Sequence, residues 1–178
     1  MAAALELFAE QGYAGLSIDA VAARAGVNKT TVYRRWPSKA ELVTAALYAM
    51  RDEDPPPPDT GSLERDLVEL LENMAAALAT PRKRALVSSF VLGNADPELR
   101  ALMRRMREER PAIPPVVFQR ALARGELPKG SDLPLITSAL LSPLHNTILL
   151  KRETVERPFI EGLVRLVLVG AVAGGARK

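Results

Sequence analysis

Along most of this chain apolar residues recur with the three-to-four spacing of an α-helix, while strand signals are weak throughout. The opening stretch MAAALELFAEQG is dense in helix formers and closes on Gly12, which predicts a helix stopped by a glycine cap. Leu63, Leu67, Leu70, Leu71, Met74 and Leu78 predict a helix over 62–79, and a second follows over 82–93. Asp96 and Pro97 form a cap and first-turn pair for another helix, which Pro111, Pro114 and Pro115 interrupt before it resumes to about Arg124, ahead of Gly125. Residues 133–150 carry no Asp, Glu, Lys or Arg, and 159–173 hold only Glu161 and Arg165 in an apolar run. The first predicts a buried helix bent near Pro143, and the second a helix that needs burial around almost its whole circumference. Pro134, Ser138, Ser142, Pro143, His145, Asn146 and Thr147 favour a protein interior over lipid for the first. The expected fold class is all-α, without internal repeats.

Residues 17–47, SIDAVAARAGVNKTTVYRRWPSKAELVTAAL, are punctuated as three helices in close succession. Ser17 can cap the first, with Asp19 in the opening turn where the helix dipole favours a negative charge, and Gly26 supplies a left-handed stop. Asn28 can cap a second, very short helix that Pro37 ends, and Ser38 with Glu41 forms a capping box for the third. A helix of about eight residues, a glycine turn and another short helix make a helix-turn-helix. On the short helix Val32 and Trp36 share one face, while Thr30 and Arg34 lie nearly opposite, flanked by Thr31 and Tyr33.

Composition changes sharply at 52–60, DEDPPPPDT, where acids and four consecutive prolines forbid helix and favour extended, solvated backbone. This spacer predicts two domains, a head over 1–47 and a larger helical domain over 48–178. At 178 residues, 48% hydrophobic and 25% charged, the chain is long and apolar enough for a real core. The lack of cysteine excludes disulfides, thiolate metal sites and thiol nucleophiles, and a lone His145 leaves no metal site to expect. No P-loop or dinucleotide fingerprint appears, so no cofactor is expected. Without a basic leader and apolar core at the start, the cytoplasm is the expected compartment.

The net charge of +3 is unevenly placed. Between Arg24 and Lys39 stand five cations, Arg24, Lys29, Arg34, Arg35 and Lys39, and no acid, whereas the rest of the chain holds 19 cations against 21 acids. That is the footprint of a phosphate-facing surface. Arginine can bond bidentately to the guanine edge and threonine can offer its methyl to thymine or its hydroxyl to phosphate, which makes Arg34 the candidate base reader. Tyr33 and Lys39 are candidates for positioning contacts, Lys39 in the first turn of a helix whose free amides attract phosphate.

The stretch from Ala4 to Leu47 resembles the DNA-binding domain of TetR-family (tetracycline-repressor-like) transcriptional regulators. The resemblance is carried by ALELFAEQGY, VAARAGV, TTVYRRWPSK and ELVTAAL, about a quarter of the chain. It implies DNA contacts from Ser17, Lys29, Thr30, Thr31, Tyr33, Arg34, Arg35 and Lys39, over a small core of Tyr13, Val21, Val27, Val32 and Trp36. One departure is that the family's first helix usually begins further upstream, often with a basic arm, so this helix reads as shortened.

For the larger domain the resemblance implies ligand binding and a homodimer through helices near 133–150 and 159–170, whose apolar surface exceeds what a monomer can cover. A two-fold dimer would present two short helices to the halves of a palindromic operator, with release by a small-molecule inducer. Met74, Phe90, Met106, Phe118 and His145 are the candidate lining of the ligand cavity. Two rival readings remain. One is a helical ligand- or partner-binding protein that binds no operator. The other is an enzyme using Ser142 and His145, three apart on a helix with Asp132 upstream, although no GxSxG elbow accompanies them.

Overall fold

A computed structural model describes residues 1–51, 54–92 and 97–175. Among them are ten α-helices: α1 (Ala2–Gly15), α2 (Ile18–Ala25), α3 (Lys29–Arg35), α4 (Lys39–Arg51), α5 (Leu63–Ala79), α6 (Pro81–Leu92), α7 (Pro97–Glu109), α8 (Pro115–Arg124), α9 (Leu133–His145) and α10 (Arg157–Gly175). The all-α expectation holds. Gly12 does break the first helix: at φ 68 and ψ −177 it leaves helical geometry, and one further turn carries the chain to Gly15. Pro143 is accommodated inside α9, and the ladder then widens into a π turn over Asn146–Leu150, closed by the Lys151 N–H on the Asn146 carbonyl at 3.0 Å. A proline that cannot donate to the preceding turn is the local reason for irregular bonding there.

The chain forms two compact units that do not follow one cut along the sequence. The first takes Met1–Pro55 together with Pro81–Glu109. Its core joins Leu7 and Phe8 of α1, Val21 of α2, Val32 of α3, Leu42 and Leu47 of α4, Leu86 of α6 and Met103 and Met106 of α7. Each fully buried leucine or phenylalanine side chain contributes about 1.5–3 kcal/mol, so α6 and α7 supply a substantial part of what holds α1 and α4 in place. Tyr48 on α4 donates a hydrogen bond to Glu109 at the end of α7, and the same carboxylate accepts from Arg105 Nε at 2.7 Å.

The second unit takes Pro56–Thr80 and the described residues from Arg110 onward. Leu67 and Leu71 of α5, Val117 and Phe118 of α8, Leu140 and Leu144 of α9 and Ile160 and Val164 of α10 are buried in it. The spacer ends here in a clasp rather than in free solution. Fully buried Asp66 accepts from the Thr60 N–H and hydroxyl, both at 2.7 Å, and faces Arg124 at 3.6 Å, while Arg120 holds the Pro58 carbonyl at 3.1 Å and Asp59 at 3.3 Å. A buried carboxylate needs such partners, because an unpaired charge in an apolar interior is strongly destabilising.

The expectation that 133–150 is buried is corrected: only 28% of it is. Ile136, Leu140, Leu144 and Ile148, four apart, make one inward stripe, while Leu135 and Leu150 stay exposed. By length and composition alone this segment is apolar enough to cross a membrane, with a mean hydropathy of 1.4. On α10, too, Ile160 and Val164 are the buried residues among those whose side chains are described, and Phe159, Leu166, Val169 and Val172 face outward, Leu166 with 74% of its surface exposed. Each helix has one packed face and one uncovered apolar face.

Candidate nucleic-acid interface

The short helix α3 is too small to be stable alone, since a seven-residue segment cannot repay the cost of nucleating a helix. Caps and one anchor hold it. Ser17 Oγ accepts from the Ala20 N–H at 3.1 Å to start α2, and Gly26, left-handed at φ 66 and ψ 28, ends it. The N–H groups of Gly26 and Val27 return to the carbonyls of Ala23 and Ala22 at 3.2 and 3.0 Å, and fix the turn. Asn28 Oδ1 then accepts from both the Thr30 N–H at 3.0 Å and its hydroxyl at 2.8 Å. At the far end the Trp36 N–H bonds to the Val32 carbonyl, and Ser38 Oγ accepts from the Glu41 N–H at 3.2 Å to open α4. Val32 is the one buried residue of α3.

With Val32 inward, the rest of the helix is exposed. Thr31, Tyr33 and Arg34 make no side-chain hydrogen bond or ion pair with any described residue, and Tyr33 has 44% of its surface exposed. The remaining expected contacts are partly engaged within the protein. Lys29 lies 3.6 Å from Asp19, both well exposed. The Arg35 guanidinium stacks on the Trp36 ring at 5.0 Å. Half-buried Lys39 donates to the Tyr13 carbonyl at 2.9 Å, with its ammonium 4.2 Å from the centre of the Tyr13 ring. Ser17 is exposed, with its oxygen serving as the α2 cap. The candidates therefore divide into a free group on α3 and a braced group around it.

Two expectations need correction. Arg24 is not part of a bare cationic strip: its guanidinium bonds bidentately to Glu10 at 3.1 and 3.0 Å and stands 3.9 Å from Glu6. That hydrogen bond holds the Glu10 carboxyl below, and the Arg24 guanidinium above, their ordinary pKa values. Val27 does not join the core with Tyr13, Val21 and Val32; it is 47% exposed in the turn before α3. The turn that carries it is set by the backbone, through the Val27 N–H on the Ala22 carbonyl at 3.0 Å, and not by burial of its side chain.

The proposed ligand lining is distributed. Met106 belongs to the core of the first unit, whereas Met74, Phe118 and His145 belong to the second, Phe118 buried and the other two half-buried. The side chain of Phe90 lies outside the described residues. Burial pushes the His145 imidazole below its ordinary pKa. Ser142 is exposed on α9, and Asp132 caps the opposite end of that helix by accepting the Leu135 N–H at 2.9 Å. Thirteen residues of helix separate Asp132 from His145, about 20 Å at 1.5 Å per residue, so the two do not form an orienting pair.

Comparison with known proteins follows the same division at the spacer. Residues 1–46 match the family model described as bacterial regulatory proteins, tetR family, and residues 57–167 match the tetracyclin repressor-like C-terminal domain. The HTH-type transcriptional regulator Rv1556 of Mycobacterium tuberculosis is 38% identical over 128 residues, 71% of this chain, and the match spans 63% of that relative's length. A DNA-binding transcriptional repressor TetR of Mycobacteroides abscessus is 35% identical over 190 residues, covering 99% of this chain and 94% of the relative. The crystal structure of the TetR family transcription regulator SCO0332 superposes with a TM-score of 0.72 at 28% identity, covering 94% of this chain and 93% of the other. A capped helix-turn-helix before a spacer, a helical domain after it, and a match to both halves along nearly the full length make this chain a member of the TetR family of bacterial regulators.

Proposed function

We propose that this chain is a DNA-binding transcriptional regulator that acts as a homodimer, represses from a palindromic operator and is released by a small-molecule inducer. The observation that carries the reading is the outer face of α3, where Thr31, Tyr33 and Arg34 stand exposed and uncommitted on a helix fixed by caps and by Val32. Arginine at such a place can bond the guanine edge, which is the commonest specific contact in the major groove. Ser17, Lys29, Thr30, Arg35 and Lys39 surround it as positioning contacts to the phosphates, and residues 1–47 form the DNA-binding domain. Residues 48–178 form the regulatory domain. The outward apolar faces of α9 and α10, with Leu135, Leu166 and Val169, pair with a second copy.

Induction follows from linkage: a ligand that binds better to a dimer with splayed heads shifts the population away from the operator-bound state. Helix α4 is the lever, braced at its start by Lys39 on Tyr13 and near its end by Tyr48 on Glu109. The test is enrichment of duplexes from a random-sequence pool, followed by titration of the enriched duplex at two salt concentrations. A palindromic consensus is expected, together with a log–log salt slope of about −0.9 for each phosphate neutralised. A flat salt response with no enriched sequence would leave the helical partner-binding reading in its place.

A further inference from the structure

The exposed position of Val27 carries one step beyond this reading, and rests on it. Val27 stands immediately before Asn28, the cap of α3, and the first residues of a recognition helix are the ones that reach base edges in a docked complex. The turn that presents it is rigid, with Gly26 left-handed and both N–H groups bonded back onto α2. Its own N–H bonds to the Ala22 carbonyl at 3.0 Å, and 47% of the valine surface meets water. The polar groups that follow it are engaged in part. Asn28 Oδ1 accepts both the Thr30 N–H and the Thr30 hydroxyl, and the Lys29 ammonium faces Asp19. The approach to the helix thus presents apolar carbon at Val27, ahead of polar side chains of which Thr31, Tyr33 and Arg34 make no hydrogen bond or ion pair with any described residue.

In the major groove the C5-methyl of thymine is the apolar feature of the base edges, and an aliphatic side chain is its natural partner. We propose that Val27 is a specificity-determining residue that meets the C5-methyl of one thymine in each half-site. A single buried methyl group corresponds to an affinity change of about four-fold per half-site.

The experiment uses the full chain and the duplex it enriches from a random pool. Each thymine of a half-site and its symmetry mate are replaced in turn by deoxyuridine, which removes the methyl and nothing else. The wild-type protein should lose roughly 16-fold at one symmetric pair, four-fold for each half-site. Val27→Ala should bind the parent duplex as weakly as the wild type binds that deoxyuridine duplex, and should not distinguish the two. Affinities are measured well below the melting temperature of whichever protein melts first, so an effect on folding does not enter. Indifference of the wild type to every replacement would overturn the proposal, as would full methyl discrimination retained by Val27→Ala. Failure of the wild type to enrich any duplex is a different result, and removes the DNA-binding reading itself.

Discussion

Helices α3 and α10 both expose much more than they bury, and they do so with opposite chemistry. On α3 only Val32 faces inward, and the exposed side chains are lysine, threonine, tyrosine and arginine. On α10, Ile160 and Val164 face inward, and Phe159, Leu166 and Val169 face out. A polar uncovered face is stable in water and waits for a partner that offers hydrogen-bond acceptors. An apolar one is held out of solvent only by another apolar surface. The two faces thus suit the two different partners of the proposed function, a duplex for α3 and a second copy of the chain for α10.

The largest effect should come from breaking the apolar side of this comparison. Leu166→Glu should leave the protomer folded, because Leu166 is 74% exposed, and yield monomers in sedimentation. Loss of the second head removes avidity, so binding to a full palindrome should fall by about 10²-fold or more while a half-site is bound as before. Dimers of normal stability would show that α10 is not the interface. Next, Trp36→Ala should destabilise the head by about 3 kcal/mol, the low end for a large aromatic because Trp36 is only half-buried. The variant should still sediment as a dimer; simultaneous loss of both properties would mean that the two regions do not fold separately.

On the polar side, Arg34→Ala should relax preference at one base position per half-site by about 1–3 kcal/mol. Lys39→Ala should weaken all sequences alike and, because its ammonium braces Tyr13, should also lower the melting temperature. Parallel losses on every sequence from both substitutions would remove Arg34 as the reader. The smallest effect concerns His145 in α9. Burial lowers its pKa below the ordinary 6.5, so the unfolded chain takes up the proton more readily than the folded one. The stability this confers is complete above pH 6.5 and declines as the pH falls through the lowered value of the folded state. His145→Gln should flatten that decline in a series of melts between pH 7.5 and about 5, an interval around the ordinary histidine pKa. An unchanged profile would assign the acid sensitivity elsewhere.

Much of the reading head was legible before any coordinates, because its determinants are local. Ser17, Gly26, Asn28 and Ser38 act on amides or carbonyls within a few positions, and each does in the structure what its residue type suggests. The helix-breaking prolines at 111, 114 and 115 and the glycine at 125 are local in the same sense, and the ends of α7 and α8 fall beside them. The candidate site was less legible. Composition counted Arg24 with the free cations, but Glu10, fourteen residues earlier, holds it. Lys39 is braced by Tyr13 across twenty-six residues.

What the sequence determined by itself is the set of helices, their caps and the identity of the short rod that carries Arg34, since backbone hydrogen bonding and side-chain caps depend on neighbours three or four positions away. Only the tertiary structure decided which of those side chains are uncommitted. It engaged Arg24 and Lys39, left Arg34 free and Val27 outside the core, gathered α6 and α7 around α1 and α4, and left one face of α9 and of α10 bare. Those outcomes rest on contacts between residues distant along the chain, and such pairings leave no trace in spacing or periodicity.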